Sequence, residues 1–189
     1  MSVLQTIQSR FSPYAFDGSP VGLEDIRSAF EAARWAASAY NSQPWRFLYA
    51  TRGSSEFENL LKYPVAFNRE WLIHAGGIAV VMARTQSEHN GENDSHADYC
   101  TGLAVGQFTV QLTALGYHMH QLAGFDAKEL HREMNLPDFL KPITMIGIGR
   151  QAKTGQDLEK WIEMDNNQQE RTRKPLEDLV LMPGQTFSA

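Results

Sequence analysis

The sequence predicts a single domain that mixes helices and strands, with helices covering a central sheet. Amphipathic stretches alternate along the chain with short, continuously apolar runs, and runs of that kind are typical of buried strands. Alternating elements of this sort bury their apolar faces by packing helices onto the sheet. With 189 residues, of which 42% are hydrophobic, the chain is long enough for one domain with its own core.

In the first half of the chain, the predicted elements alternate between helix and strand. They are a helix at 23–38, a strand at 45–50, a short helix at 55–63 and a strand at 77–83. The first helix repeats apolar residues every three or four positions, and Glu24 and Asp25 lie in its first turn, where the helix dipole favours acidic groups. Pro44 stops the helix from continuing, because the residue before a proline avoids the helical conformation.

The second half continues the alternation after a polar, acidic loop at 87–96. The predicted elements are a central helix at 97–115, a strand at 117–124, a helix at 127–135 and a strand at 142–149. From residue 151 onward the chain is polar, with few apolar anchors before Pro175 and Leu176. We therefore interpret residues 1–189 as one domain, in which 151–189 form an extended C-terminal arm. Such an arm is expected to be disordered or to lie on another surface, such as a partner subunit.

Composition and charge argue against several classes of function. The net charge of −5 disfavours a basic nucleic-acid-binding surface and an anionic-membrane surface. The N-terminus lacks the basic and apolar runs of a secretory signal, and no apolar stretch approaches the roughly 20 residues that span a bilayer. The lone Cys100 cannot form an intramolecular disulfide and fits a reducing compartment, so we expect a cytoplasmic protein.

Several motifs that carry chemistry in other proteins are incomplete or missing. Gly147 and Gly149 follow a predicted strand, but Ala152 occupies the place of the third glycine in a dinucleotide-binding fingerprint. No phosphate-binding loop of the GxxxxGK type and no GxSxG motif occurs. His118 and His120 lie on one face of a strand and could form half of a metal site, but no third ligand is identifiable. We therefore expect packed or hydrogen-bonded histidines and no metal, which leaves a metal hydrolase as the most distant alternative.

Five short motifs, spread over nearly the whole chain, are informative in combination. In chain order they are Arg10-Phe11-Ser12 with Phe16 beyond it, the stretch SAYNSQPW at 38–45, Asn68, Gly124-Phe125-Asp126, and Arg171-Thr172-Arg173. Each motif is weak when taken singly. Their order and spacing together resemble the FMN-dependent nitroreductase family.

The resemblance implies an α+β, nitroreductase-like fold with a central, mostly antiparallel sheet flanked by helices. It also implies that the C-terminal arm is exchanged across a homodimer. The implied activity is that of an FMN-dependent oxidoreductase, in which NADH or NADPH gives hydride to the flavin in a ping-pong cycle. A small-molecule acceptor such as a nitroaromatic or a quinone then takes the electrons. Because the flavin performs the chemistry, no catalytic side chain is assigned.

The resemblance also implies which residues contact the cofactor. They are Arg10, Phe11, Ser12, Ser38, Ala39, Asn41, Asn68, Leu122, Ala123, Gly124, Arg171 and Arg173. The planar guanidinium groups of Arg10, Arg171 and Arg173 match a phosphate bidentately. The amide of Asn68 can satisfy both donors and acceptors on the pyrimidine edge of the flavin ring.

Two stretches are implied to lie against the ring itself. Residues 38–45, which we call the join, connect the first long helix to the first strand and bring backbone and small polar groups to the flavin. On the other side, Leu122, Ala123 and Gly124 would run along the ring with a backbone N–H near its reactive nitrogen N5. Glycine permits that close approach.

Three positions depart from the family pattern. Tyr14 and Trp71 stand where many members carry lysine, and Ala123 replaces a common glutamate. Because a nearby cation stabilises the negative charge of the reduced flavin, we expect a lower reduction potential than in lysine-bearing members, unless Arg46 or Arg69 compensates. Two alternatives therefore stay open. One is a flavoprotein of the same fold that removes halogen from an aromatic or oxidises a ring, and the other is a non-catalytic flavin-binding dimer.

Overall fold

A four-stranded sheet forms the centre of the computed structural model, which describes residues 3–168, 170–180 and 183–184. The strand order is β1-β2-β4-β3, and every neighbouring pair is antiparallel. The strands are β1 (Trp45–Thr51), β2 (Gly77–Arg84), β3 (His118–Leu122) and β4 (Leu140–Gly149). All four strands predicted from the sequence are confirmed, with their ends displaced by at most two residues.

Within the described residues, seven α-helices surround this sheet. They are α1 (Gln5–Ser9), α2 (Leu23–Arg34), α3 (Ser55–Leu60), α4 (Ala66–Leu72), α5 (Ala97–Ala114), α6 (Ala127–Glu133) and α7 (Glu159–Asn167). None of these helices is long and apolar enough to cross a membrane. The sequence predicted α2, α3, α5 and α6, whereas α1, α4 and α7 were not predicted.

The predicted helix at 23–38 is too long, since α2 ends at Arg34. The backbone N–H groups of Trp35 and Ala36 turn back to the carbonyl oxygens of Ala32 and Ala33 and close the last turn. By Ser38 the backbone is extended, with φ −145° and ψ 152°. The apolar residues after Arg34 continued the helical pattern in the sequence although the backbone does not continue the helix.

Helices cover both faces of the sheet, and each face has its own core. On one face, α2 and α5 pack around Phe108, which is fully buried. On the other face, α3, α4, α6 and α7 pack around Trp71, which is also fully buried. Successive side chains of β2 enter opposite cores, so that Val81 belongs to the first and Val80 to the second. This alternation confirms the prediction of a strand buried on both faces at 77–83.

Gly147 allows α4 to lie directly on β4. A Cβ atom at this position would stand 2.7 Å from Cδ1 of Leu72 and 2.9 Å from Cζ3 of Trp71, both in α4. Any side chain here would force Leu72 and Trp71 to shift, so the glycine favours the close helix–sheet packing. This role in packing agrees with the absence of a complete dinucleotide fingerprint around Gly147.

The first part of the C-terminal arm packs on its own chain. In α7, Trp161 and Asp165 are buried, and the Asp165 carboxylate accepts hydrogen bonds from backbone N–H groups near the N-terminus. Of the alternatives expected for the arm, α7 therefore follows the one in which it lies on another surface, and that surface belongs to its own chain. Residues 170–180, which include a 3₁₀ turn at Leu176–Asp178, are exposed. Exchange of the arm across a homodimer stays a prediction, as does the division into one domain with an arm.

Candidate functional site

A cavity of about 640 Å³ lies where the two ends of the chain meet α5 and β3. Its polar lining includes Arg10, Ser12, Gln121, Arg171 and Arg173, and its apolar lining includes Met119. We call Arg10, Arg171 and Arg173 the arginine cluster. The structure thus brings four of the predicted site residues, the cluster and Ser12, into one cavity.

Hydrogen bonds between the chain ends assemble the arginine cluster. Nη1 of Arg10 donates to Oγ of Ser12 at 2.8 Å. The guanidinium group of Arg171 donates to the backbone carbonyl oxygens of both Gln8 and Arg10. Because Arg171 is anchored on the segment that carries Arg10 and Ser12, cations from both chain ends share one surface.

The arginine cluster carries positive charge that no described carboxylate neutralises. Burial lowers the pKa of Arg10, and the neighbouring charges of Arg171 and Arg173 lower it further. A guanidinium nevertheless stays protonated at neutral pH. None of the salt bridges among the described residues pairs any member of the cluster with an acidic group. The arrangement is therefore suited to binding an anion, and arginine's fork favours a phosphate.

A second group of predicted residues forms around Asn68 on α4. Its Nδ2 donates to the carbonyl oxygen of Gly124 at 3.0 Å, and its Oδ1 accepts from Nε1 of Trp71 at 3.3 Å. These two bonds fix the orientation of the amide and leave one N–H and one oxygen lone pair available. A Cβ atom at Gly124 would stand 2.7 Å from Nδ2 of Asn68, so any larger residue would displace this amide.

The join is held in an unusual backbone conformation. The φ values of Tyr40, Asn41 and Gln43 are 51°, 57° and 45°. These values lie in the left-handed region, which is disfavoured for residues other than glycine. Oγ of Ser38 accepts the backbone N–H of Gln43 at 3.0 Å, and Sγ of Cys100 accepts the N–H of Ala39 at 3.4 Å. Strain of this kind tends to occur at functional sites, where surrounding contacts maintain it.

The join lies beside a different cavity from the arginine cluster. This second cavity, of about 830 Å³, is lined by Tyr40, Asn41 and Ser42 together with residues 87–90 of the acidic loop. Neither the join nor Asn68 lines the cavity of the arginine cluster. A single chain therefore places the predicted site residues in three separate groups.

The three other predicted residues lie outside these groups. Phe11 and Ala123 do not line the cavity of the arginine cluster. Leu122 is buried in the core on the α4 side of the sheet, whereas Met119 belongs to the core on the α5 side. The side chain of Leu122 therefore packs in the protein interior, and only its backbone is available for a ligand.

His118 and His120 are half-buried on the α4 side of β3. The ring of His120 lies 4.5 Å from that of Tyr14 and 4.6 Å from that of Trp71, and its Nδ1 is 3.0 Å from the carbonyl oxygen of Pro13. Burial lowers the pKa of both histidines. His120 is thus packed and hydrogen-bonded, whereas Nδ1 of His118 is buried without a hydrogen-bond partner among the described residues. No group of three metal-ligating side chains occurs in that part of the chain.

Two of the three positions that depart from the family pattern, Tyr14 and Trp71, are filled by packed aromatic rings. Tyr14 contacts Trp71 edge-on at 5.7 Å, and Trp71 is fully buried. The two cations that could compensate are each bonded to neighbouring groups of the protein. Arg46 donates to the carbonyl oxygen of Gln43 and pairs with Glu88, while Arg69 donates to the carbonyl oxygen of Lys62.

Solved structures share this fold. An oxidoreductase containing FMN superposes with a TM-score of 0.89 and 28% identity, over 100% of this chain and 95% of that chain. A protein from Desulfovibrio desulfuricans, provisionally described as a nitroreductase and solved in complex with FMN, gives a TM-score of 0.76 and 24% identity over 98% and 99% of the two chains. The second likeness supports the fold alone. The fold class is thus the α+β nitroreductase-like fold, as predicted.

Sequence relatives point to the same family. YodC of Bacillus subtilis strain 168, provisionally named an NAD(P)H nitroreductase, is 21% identical over 187 residues, covering 80% of this chain and 91% of its own. A Streptomyces coelicolor protein, provisionally named an NADH dehydrogenase/NAD(P)H nitroreductase, is 27% identical over 158 residues, covering 74% and 78%. The sequence model of the Nitroreductase family matches residues 7–150. The chain therefore belongs to the nitroreductase family, which confirms the resemblance.

Proposed function

We propose that this protein is an FMN-dependent oxidoreductase that uses NADH or NADPH as reductant and a small molecule as electron acceptor. The observation that carries the proposal is the arginine cluster, where three guanidinium groups face one cavity with no described carboxylate to neutralise them. Family membership and the fold shared with FMN-containing structures support the cofactor. The names of the relatives support the nicotinamide reductant.

The arginine cluster fits the phosphate of FMN in charge and in donors. A phosphate monoester carries a charge between about −1.5 and −2 at neutral pH and offers three strong acceptor oxygens. Arg10, Arg171 and Arg173 supply forked N–H donors, and Ser12 supplies a hydroxyl beside them. Burial of Arg10 strengthens such a charge-assisted contact, because water screens it less.

The Asn68 group and the join supply the contacts that the ring requires. The N–H and lone pair left on Asn68 can satisfy one acceptor and one donor of the pyrimidine edge. Gly124 lets the backbone approach the ring closely, and the join presents its backbone and the polar side chains of Ser38 and Asn41. These residues bind and orient the ring.

FMN, when bound, would supply the redox chemistry of a ping-pong cycle, in which NAD(P)H is the hydride donor and a nitroaromatic or quinone is the acceptor. The protein's own residues position the ring and exclude water, and none of them has to act as a nucleophile or base. The single cysteine, Cys100, is free and buried, which suits a reducing compartment and supports a cytoplasmic location.

A homodimer would bring the three groups of site residues together. The outer face of α5 exposes Tyr99, Leu103 and Val110, and the open space above Gly102 and Gly106 permits another backbone to approach. An apolar face of this kind on a soluble domain is typical of a protein interface. The exposed apolar residues of the arm, Leu176, Leu179 and Val180, are also available to a partner subunit.

The aromatic residues at the family's lysine positions support a second candidate, a flavoprotein of the same fold that dehalogenates or oxidises a ring. Tyr14 and Trp71 supply no cation. Arg46 is paired with Glu88, and Arg69 donates to the backbone carbonyl oxygen of Lys62. We therefore propose a lower reduction potential for the bound flavin than in lysine-bearing members. Assays with nitroaromatic, quinone and halogenated substrates under NAD(P)H separate the two candidates.

The test of the main proposal is optical. The purified protein, reconstituted with FMN and freed of excess cofactor, is expected to show flavin absorption that NADH or NADPH bleaches in the absence of oxygen. Replacing Arg171 and Arg173 with alanine should abolish retention of FMN, whereas replacing Arg27 and Arg34, which pair with Glu24 and Glu31 on the surface of α2, should not. Retained flavin that stays oxidised would support the non-catalytic dimer instead, and no retained flavin would contradict the proposal.

A further inference from the structure

We propose that Asp165 is a positioning residue for the arginine cluster. Its carboxylate clasps the C-terminal arm to the N-terminal segment, so that guanidinium groups from the two chain ends meet at a fixed separation. The expected effect of Asp165 on FMN binding rests on the proposed function. Its expected effect on the attachment of the C-terminal arm does not.

Asp165 accepts three hydrogen bonds in the protein interior. It lies on α7, is 2% exposed, and accepts the backbone N–H groups of Tyr14 at 2.7 Å and Ala15 at 3.1 Å. Nε2 of Gln151 donates a third bond at 3.3 Å. Among the described residues, Asp165 is the one charged side chain classed as buried. A buried carboxylate is costly unless donors surround it, so this one is held in a defined orientation.

The hydrogen bonds of Asp165 to Tyr14 and Ala15, which we call the clasp, join the two segments that carry the cations. Tyr14 follows Arg10 by four positions and Ser12 by two. On the other segment, Asp165 precedes Arg171 by six positions. A connection at this place limits how far the two segments can move relative to each other. The bonds from Arg171 to the carbonyl oxygens of Gln8 and Arg10 form a second connection, closer to the cavity.

Apolar packing of α7 does not explain why a carboxylate is present. Trp161 and Leu158 already bury α7 against the core. An apolar residue in place of Asp165 would serve that packing without the desolvation cost of a charge, but it would leave the backbone N–H groups of Tyr14 and Ala15 without acceptors. A carboxylate that accepts two successive backbone N–H groups instead fixes the rotation and register of α7 against the N-terminal segment, which apolar contacts do not specify.

The first test uses the phosphate as the discriminating feature. Asp165→Asn replaces one acceptor oxygen with an NH₂ group that faces a backbone donor. We expect it to weaken FMN binding at least about tenfold while riboflavin, which lacks the phosphate, loses less than about twofold. Equal losses for both ligands, or no loss for either, would overturn the proposal. In a background of Arg171→Ala and Arg173→Ala, Asp165→Asn should leave the ratio of the two affinities unchanged.

A matched control separates positioning from stability. Phe57→Leu removes volume from a fully buried site on α3, far along the chain from both cation-bearing segments. It should lower the melting temperature without changing the ratio of FMN to riboflavin affinity. Asp165→Glu keeps the charge but displaces the carboxylate by about 1.5 Å, and an intermediate ratio is expected. This variant carries the test if Asp165→Asn does not fold.

The second test needs no flavin. Trypsin cleaves after arginine, and Arg171 and Arg173 lie in the exposed part of the arm. Asp165→Asn should increase the rate of cleavage after both residues in the flavin-free protein, and Phe57→Leu should not. An unchanged cleavage pattern would overturn the clasp. If the wild-type protein binds no FMN, the proposed function fails, and this second test still decides the role of Asp165.

Discussion

The arginine cluster draws its contacts from opposite ends of the chain, whereas the join is held by a hydrogen bond within its own eight residues and by a second one to Cys100. Arg171 is bonded to a carbonyl oxygen 161 positions away. In the join, Ser38 is bonded to Gln43, five positions away. The cluster therefore depends on the global fold and on the clasp at Asp165, while the join depends on local backbone strain that Cys100 and Ser38 maintain. The two regions should respond differently to mutation and to the loss of the phosphate from the ligand.

The largest effect is expected from removing the cluster. Arg171→Ala with Arg173→Ala should weaken FMN binding by at least about 100-fold, because each charge-assisted hydrogen bond contributes about 1.5–3 kcal/mol. Riboflavin binding should change by less than threefold, as measured by fluorescence titration. A similar loss of affinity for FMN and for riboflavin would show that the arginine cluster does not bind the phosphate. It would also contradict the difference proposed between the cluster and the join.

The next largest effect is expected on the reduction potential of the bound flavin, from restoring a lysine at position 14. Tyr14→Lys should raise the reduction potential of the bound flavin by about 30 mV, equivalent to about 1.4 kcal/mol for a two-electron couple. Tyr14→Met, a flexible side chain without charge, is the matched control and should leave the potential unchanged. Potentiometric titration checks both variants, and an unchanged potential in Tyr14→Lys would contradict the account of the missing lysines.

A smaller effect is expected in the join. Ser38→Ala leaves the half-buried N–H of Gln43 without its acceptor, which should destabilise the join by about 1 kcal/mol. FMN and riboflavin should lose affinity by the same factor, because the join contacts the ring and not the phosphate. Ser19→Ala, at a half-buried serine whose solvent-exposed hydrogen bond is to Asp17, serves as the control. Selective loss of FMN would show that the two regions are not independent.

The smallest effect is a dependence of stability on pH. Burial lowers the pKa of His118 and His120 below the ordinary value near 6.5, with Asp165 opposing and Arg10 reinforcing the shift. The unfolded chain therefore binds protons more tightly, so the stability is fully present above about pH 6.5 and is lost as the pH falls through the lowered pKa values.

Melting temperatures between pH 7.5 and 5.0 test this dependence. The wild-type protein should lose more stability than a variant with both His118→Gln and His120→Gln. His89→Gln, at an exposed position, should behave as the wild type does. Parallel curves for the wild type and the double variant would exclude these histidines as the cause.

The arginines, Ser12 and the four strands could be predicted because each carries a signal in the sequence. Cations in a recognisable motif order and apolar runs such as 77–83 remain visible without a structure. Asp165 could not be predicted, since its partners are backbone N–H groups of Tyr14 and Ala15, which leave no mark on the sequence. Helix α7 was missed for a different reason, because it contains one buried tryptophan, Trp161, within a mostly polar stretch of sequence.

Tertiary contacts also determine two features that the sequence does not show, namely the position of helix α4 and the surroundings of the histidines on β3. Helix α4 has seven residues, too few for a clear helical period, and its place depends on the missing side chain at Gly147. The alternation of β3 placed His118 and His120 on one face, as predicted, but could not indicate that the ring of His120 lies between Tyr14 and Trp71.

The most direct measurement is a crystal structure of the protein with FMN. We predict phosphate oxygens about 3 Å from the guanidinium nitrogens of Arg10, Arg171 and Arg173, with the hydrogen bonds of Asp165 to Tyr14 and Ala15 intact. A phosphate bound away from these arginines, with the cavity between the chain ends left to solvent, would contradict the account.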